Sequence, residues 1–243
     1  MGGFEHSGWS EPSYSEAYRD EADHYIPQRS TLLKVVSSFY RNLVRSESQV
    51  RVLDLGCGDG ILAEVLCTED PEIEVTVTDG SRDMLDAARV RLRGRPVSEF
   101  CQITFEDIIG GGFQREPFDL IVSSFAIHHL ELAQKAMLFR RVIALLVPNA
   151  FFLNVDVAVS DRPSYTEWYY KLWREWIIDR ERTLGLDQAF AHVPEEARAK
   201  PENHYDPLQS QLEALRSAGY VEAACHYRYG LFALYGGRRP HSR

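Results

Sequence analysis

Val50-Arg51-Val52-Leu53-Asp54-Leu55-Gly56-Cys57-Gly58-Asp59-Gly60 joins a short, almost wholly apolar run to a turn with glycine at every second position. A strand buried on both faces of a parallel sheet reads as such a continuous apolar run rather than as an alternation. The glycines let the backbone turn tightly and lie against a flat ligand with no side chain between. Residues 50–56 are therefore predicted as the first strand and 60–68 as the helix after it. A dinucleotide fold would place a further glycine at position 61 to pack helix against strand, and Ile61 stands there instead. A phosphate loop would need Gly-Lys followed by Ser or Thr, and the turn has no lysine. Asp54 and Asp59 flank the turn, where they repel a diphosphate on the helix N-terminus and favour a cationic ligand in a poorly solvated cleft. Asp59 also suits a cap for the helix beginning at Ile61.

Strand and helix signals trade places on either side of this unit. Strands are predicted at 73–79, 100–105, 118–123 and 150–157, with helices at 82–93 and 131–146. Such alternation implies right-handed crossovers and a doubly wound, mostly parallel, Rossmann-like α/β sheet. Before it, residues 31–44 carry Leu32, Val36, Phe39 and Leu43 at helical spacing. After it, Tyr165, Trp168, Tyr169, Leu172, Trp173, Trp176 and Ile177 form an aromatic stripe on a helix outside the alternation. A helix over 208–220 stops at Gly219, and two β-prone runs meeting at Arg228 to Gly230 predict a terminal antiparallel hairpin. The organisation expected is a helical segment over 1–45 covering the cleft, a ligand-binding α/β core at 46–159, a helical lid insert at 160–206, and a helix with β-hairpin at 207–243 completing the core.

The 243 residues, 44% hydrophobic and 26% charged, suffice for one sizeable core. A formal net charge of −9 supplies no general phosphate-neutralising surface, so nucleic acid is disfavoured as partner and a small acceptor favoured. The four cysteines are scattered, with no metal-ligand spacing, and read as reduced thiols with no metal site. The acidic, polar beginning lacks a signal-peptide pattern, and no apolar run is long enough to span a bilayer, so a cytoplasmic protein away from membranes is expected. The residues leave the oligomeric state open, a homodimer included.

Asp79, at the end of the second strand about 20 residues past the glycine turn, suits an acceptor for both hydroxyls of a ribose. Gly80 and Ser81 leave room beside it. Met84, one turn into the next helix, suits either an adenine face or the core. Glu106 and Asp107 are expected at the tip of the third strand, Asp107 accepting from an adenine amino group while the Ile108 amide meets a ring nitrogen. S-adenosylmethionine, a nucleoside with an ammonium and a sulfonium, satisfies these requirements together.

On the segments DLGCGDG (54–60), TDGS (78–81), FEDI (105–108), FDLIVSSFAIHHL (118–130) and FFLNVD (151–156), residues 50–157 resemble the class I S-adenosylmethionine-dependent methyltransferases. The resemblance implies a seven-stranded sheet with an antiparallel last strand, and S-adenosylmethionine converted to S-adenosylhomocysteine. It implies cofactor roles for Asp54, Gly56, Gly58, Asp79, Asp107 and the strand end Ser124-Phe125, with Cys57 inside the turn. Pro148-Asn149-Ala150 replaces a Pro-Gly-Gly turn common in the family, and asparagine tolerates the left-handed backbone needed there.

His128 and His129 follow the fourth strand at the sheet edge where open α/β folds bind ligands, and either suits a general base for methyl transfer. Arg29 is a candidate for the methionine carboxylate or a substrate acid, or a plain surface arginine. Substrate contacts are expected from Tyr25, His129, Trp168, Trp173, His204 and Tyr229, the aromatic helix acting as lid or simply packing on the body. A second likeness, on YIPQRSTLL (25–33), the helical insert and LRSAGY (215–220), is to the carboxy-S-adenosylmethionine synthase group of tRNA wobble modification. Arg29 stands where that group has tyrosine. A non-catalytic S-adenosylmethionine-binding protein is the third reading.

Overall fold

In the computed structural model, which describes residues 21–186 and 189–241, the apolar segments assemble into one seven-stranded sheet. β1 (Arg51–Leu55) is flanked by β2 (Glu74–Asp79) and β4 (Phe118–Ser124), with β3 (Val97–Gln102) beyond β2 and β5 (Leu146–Val157) beyond β4, all parallel. β7 (Phe232–Arg238) pairs antiparallel with β5, and β6 (Val221–Tyr229) pairs antiparallel with β7 at the far edge, giving the order β3-β2-β1-β4-β5-β7-β6. The predicted hairpin and antiparallel last strand are both present. Residue 149 turns in the left-handed region, at φ 67°, as its asparagine permits.

Successive strand residues point to opposite faces, and each face carries its own helical layer. Val52, Leu120, Val122, Leu153 and Val155 face a core closed by α1 (Arg29–Phe39), α2 (Ile61–Glu69), α3 (Arg82–Arg91) and α6 (Pro163–Leu184). Leu53, Leu55, Ile121 and Phe152 face the other, closed by α4 (Phe105–Gly110), α5 (Leu132–Ala144) and α8 (Leu208–Ser217). α1 runs on into a π-helical turn, Tyr40–Val44, and a short α7 (Val193–Ala199) lies between α6 and α8.

The third strand departs from the sequence expectation. β3 ends at Gln102, and Phe105–Gly110 forms α4. As an edge strand of the sheet β3 is only half-buried along its length, so no apolar periodicity marks its ends, while Thr104 and Asp107 supply a capping box that starts a helix. Much of the segment expected to cover the cleft, residues 1–20, lies outside the described residues. No described helix is long and apolar enough to cross a membrane.

Candidate active site

The glycine turn occupies the carboxyl end of β1. Gly56 and Gly58 both have positive φ, 63° and 55°. The Cys57 amide donates to the Thr78 carbonyl at 2.8 Å, tying the turn to β2, and buried Cys57 fills its underside. A Cβ on Gly56 would come within 2.6 Å of the Ala126 Cβ and 3.0 Å of the Phe105 ring, whereas one on Gly58 would meet nothing within 4 Å. The turn is thus wedged against the loop after β4 on one side and open on the other. Asp79 braces it: one carboxylate oxygen accepts from the Gly58 amide at 2.9 Å and the other from the Ser81 amide at 2.8 Å. Ser81 in turn caps α3 through the Met84 amide, beside Gly80. Burial pushes the Asp79 carboxyl above its usual range, with the Ser81, Gly58 and Gly80 amides opposing the shift.

Asp54, one of the few charged side chains on the sheet interior, is fully buried. Neither of its carboxylate oxygens reaches a hydrogen-bond partner among the described residues, the nearby Ala63 amide giving only partial compensation. Burial pushes its carboxyl up to about 7, and the charges of Asp79 and Asp59 add to the rise. Such an unsatisfied buried carboxylate is costly unless a donor or cation completes it. An unpartnered carboxylate beside the glycine turn fits a nucleoside that carries an ammonium group. Asp59 does not cap the helix as foreseen, and a cation shares its charge. Arg91 reaches across from α3 and pairs with it at 2.5 Å, and Gly60, not Asp59, precedes α2 with no side-chain cap.

The displacement of β3 changes the adenine-side expectation. Asp107 is the third residue of α4, its Oδ2 accepting from the Thr104 hydroxyl at 2.9 Å, and the Ile108 amide is spent on the Thr104 carbonyl. The Ile108 side chain is buried in the second core. Across from Asp79 the register places Gln102, and the Ile103 amide bonds to the Asp79 carbonyl at 3.0 Å. Met84 is buried. Arg29, also buried, has its guanidinium paired with Asp23 at 2.7 Å, so it is not a plain surface arginine.

Across the turn, Ser124 ends β4 and Phe125 takes an unusual positive φ of 52°, its amide held by the Val155 carbonyl of β5 at 2.8 Å. The chain then winds into one 3-10 turn, Ile127–His129. This places His128 over the end of β5. Its Nδ1 lies 2.6 Å from Asp156 Oδ1 and its main-chain amide donates to Asp156 Oδ2 at 2.9 Å. Burial alone would raise the Asp156 carboxyl, but the facing His128, the Lys135 charge and the Val157 amide outweigh it and hold the group below its usual range. An ionised Asp156 makes Nδ1 the protonated nitrogen and leaves the lone pair on Nε2. No described residue hydrogen-bonds Nε2. The His129 ring lies tilted beside it, ring centres 4.1 Å apart, with Nδ1 3.3 Å from the Glu202 carbonyl. Burial, followed by the His128 charge, pushes its pKa well below the ordinary imidazole range.

The residues expected to meet the substrate do not form one group. His204 lies on His128 itself, its amide donating to the His128 carbonyl at 2.8 Å, and the Tyr205 ring centre is 5.4 Å from that of His128. Tyr25 packs on Phe190, and its carbonyl accepts from the Trp173 indole at 2.6 Å. Trp173 is buried edge-on against Phe232, which packs on Phe125, whereas Trp168 is more than half exposed. Five positions on a helix are about 140° of rotation, so the two tryptophans cannot share a face. Tyr229 sits half-buried at the hairpin end, its phenol pushed up by burial. Asp156 was missed from sequence as a functional group, although a carboxylate closing the apolar run of β5 at this same edge was the available signal.

Residues 53–152 match the family model described as a methyltransferase domain. A demethylmenaquinone methyltransferase from Leptospira interrogans is 29% identical over 79% of this chain and 76% of its own length. A carboxy-S-adenosyl-L-methionine synthase from Trichodesmium erythraeum is 25% identical over 73% of this chain and 68% of its own. Among solved structures, an O-methyltransferase family protein from Burkholderia thailandensis superposes with a TM-score of 0.69 at 16% identity, over 98% of this chain and 64% of that one. The chain spans less than two thirds of that structure, and the likeness is one of fold. Residues 53–152 are thus a methyltransferase domain, and in sheet order and glycine turn the chain is similar to the class I S-adenosylmethionine-dependent methyltransferases.

Proposed function

We propose that the protein methylates a hydroxyl of a small, aromatic-sized acceptor, with His128 as general base. The observation that carries this reading is the His128–Asp156 pair, whose histidine sits on the turn preceded by Ala126, the residue that a Gly56 Cβ would touch. Cofactor turn and base are therefore neighbours. S-adenosylmethionine supplies an electrophilic methyl group when bound. Asp54 would face its cationic end, Asp79 its ribose, and residues 102–104, which follow Asp79 across the sheet, its adenine edge in place of Asp107 and Ile108. His128 Nε2 would accept the acceptor's hydroxyl proton as the oxygen takes the methyl group and the methyl–sulfur bond breaks to leave S-adenosylhomocysteine, and Asp156 would stabilise the imidazolium that results. Tyr205, Tyr25 and the α6 region wall the acceptor and exclude water. The name of the Leptospira relative, a demethylmenaquinone methyltransferase, supports a small ring-bearing acceptor.

Incubation with S-adenosylmethionine and a panel of phenols and quinols, followed by mass spectrometry, tests the proposal. S-adenosylhomocysteine formed together with a methylated hydroxyl supports it. Tight cofactor binding with no product from any acceptor would leave a non-catalytic binding protein, and a carboxylated cofactor co-purifying with the chain would favour the synthase reading. The ribose assignment makes its own prediction. Asp79→Ala weakens cofactor binding by at least about 1.5 kcal/mol, the loss expected for a hydrogen bond to a charged acceptor. Unchanged calorimetric affinity in the folded variant refutes that assignment.

A further inference from the structure

Lys135 is fully buried on the first turn of α5, where a lysine is expected to point to solvent. Its ammonium donates at 2.6 Å to the His204 carbonyl and at 2.6 Å to Asp206 Oδ2. The His204 amide rests on the His128 carbonyl, so the first of these bonds fastens residue 204 over the turn that carries His128. The second continues elsewhere. The Asp206 carbonyl accepts from Gln211 at 3.1 Å, Gln211 Oε1 accepts from the Tyr235 hydroxyl, and that hydroxyl accepts from Asn154 at 2.7 Å. Asn154 also donates to Asp156 Oδ2 at 3.4 Å, which returns the path to the partner of His128. Lys135, Gln211, Tyr235, Asn154 and Asp156 are all within 1% of complete burial. With Asp206, whose side chain is about 21% exposed, these groups form a closed circuit around the His128–Asp156 pair, and an apolar side chain at 135 would take the donor from the His204 carbonyl and the cation from Asp206.

We propose that Lys135 is a positioning residue for the proposed base: by closing this buried polar circuit it holds His128 and Asp156 in register and fixes the histidine tautomer. The inference rests on the reading of His128 as base, but its direct test needs no acceptor. In the full chain, the Nδ1 proton of His128 is followed by nitrogen-edited NMR, and cofactor affinity by calorimetry. Lys135→Met speeds solvent exchange of that proton by about tenfold or more, as for loss of roughly one hydrogen bond's worth of protection, and mixes the tautomers, while affinity for S-adenosylmethionine changes less than about twofold. With an active acceptor, the same variant lowers kcat rather than raising KM. If the single variant does not fold, Lys135→Met with Asp206→Leu removes the buried pair as a unit and carries the same expectation. A folded variant with unaltered exchange and tautomer overturns the proposal, whatever His128→Ala does to turnover.

Discussion

Asp156→Asn is expected to cut kcat by about 10²- to 10⁴-fold, the contribution usual for a general base, while leaving cofactor affinity near the wild-type value. Asparagine keeps the shape and can still accept from the main-chain amide of His128. It cannot, however, supply the negative charge that makes Nδ1 the protonated nitrogen, and its own amide hydrogens compete for that contact. His128→Ala should cost as much, and the double variant little more than either alone, because groups that act as one unit lose their effect together. His129→Gln provides the contrast. Its ring is already pushed toward the neutral form by burial and held at Nδ1 by the Glu202 carbonyl, so turnover falls by less than about tenfold. Equal losses at both histidines, with melting curves unchanged, would sink the assignment of the base to His128.

The parts of the site that were legible are those written in consecutive residues. The apolar run before Gly56, the alternate glycines and the carboxylate at the tip of β2 are local signals, and Asp54, the turn and Asp79 stand where the pattern puts them. Asp107 was misplaced because β3 is half-exposed along its length and gives no alternation, so the capping chemistry of Thr104 decided the backbone instead. The base pair was half legible. His128 follows an apolar strand, but its partner lies 28 positions further on and meets it only through the β4–β5 register, in which Ser124 faces Val155. Lys135 was invisible for a similar reason, since its two acceptors belong to a segment some 70 residues away. For Asp59, the competing cation Arg91 comes from the next helix, and no spacing rule announces it.

On the proposed reading, the buried carboxylate beside the glycine turn gives cofactor binding a pH dependence. In the free protein Asp54 titrates near 7, whereas an unfolded chain would titrate it near 3.8. Between those values the folded state holds the extra proton, so this group's contribution to stability is full below about pH 4 and is lost as pH rises toward 7, to the extent of roughly 4 kcal/mol. A cationic ligand reverses the sign. It requires the ionised carboxylate, so below pH 7 binding must release a proton and affinity falls by up to about tenfold for each unit of acidification. Above pH 7 the dependence on Asp54 flattens. The stabilisation of the fold by S-adenosylmethionine is accordingly larger at pH 8 than at pH 6. Calorimetry in two buffers of different ionisation enthalpy measures the proton released, and Asp54→Asn, neutral throughout, removes its share of the slope. Asp79 is also raised by burial, so part of the slope survives in Asp54→Asn. An affinity in the wild-type protein that stays level from pH 5.5 to pH 8, on the order of the window set by these groups, would mean that Asp54 does not face the positive end of the cofactor.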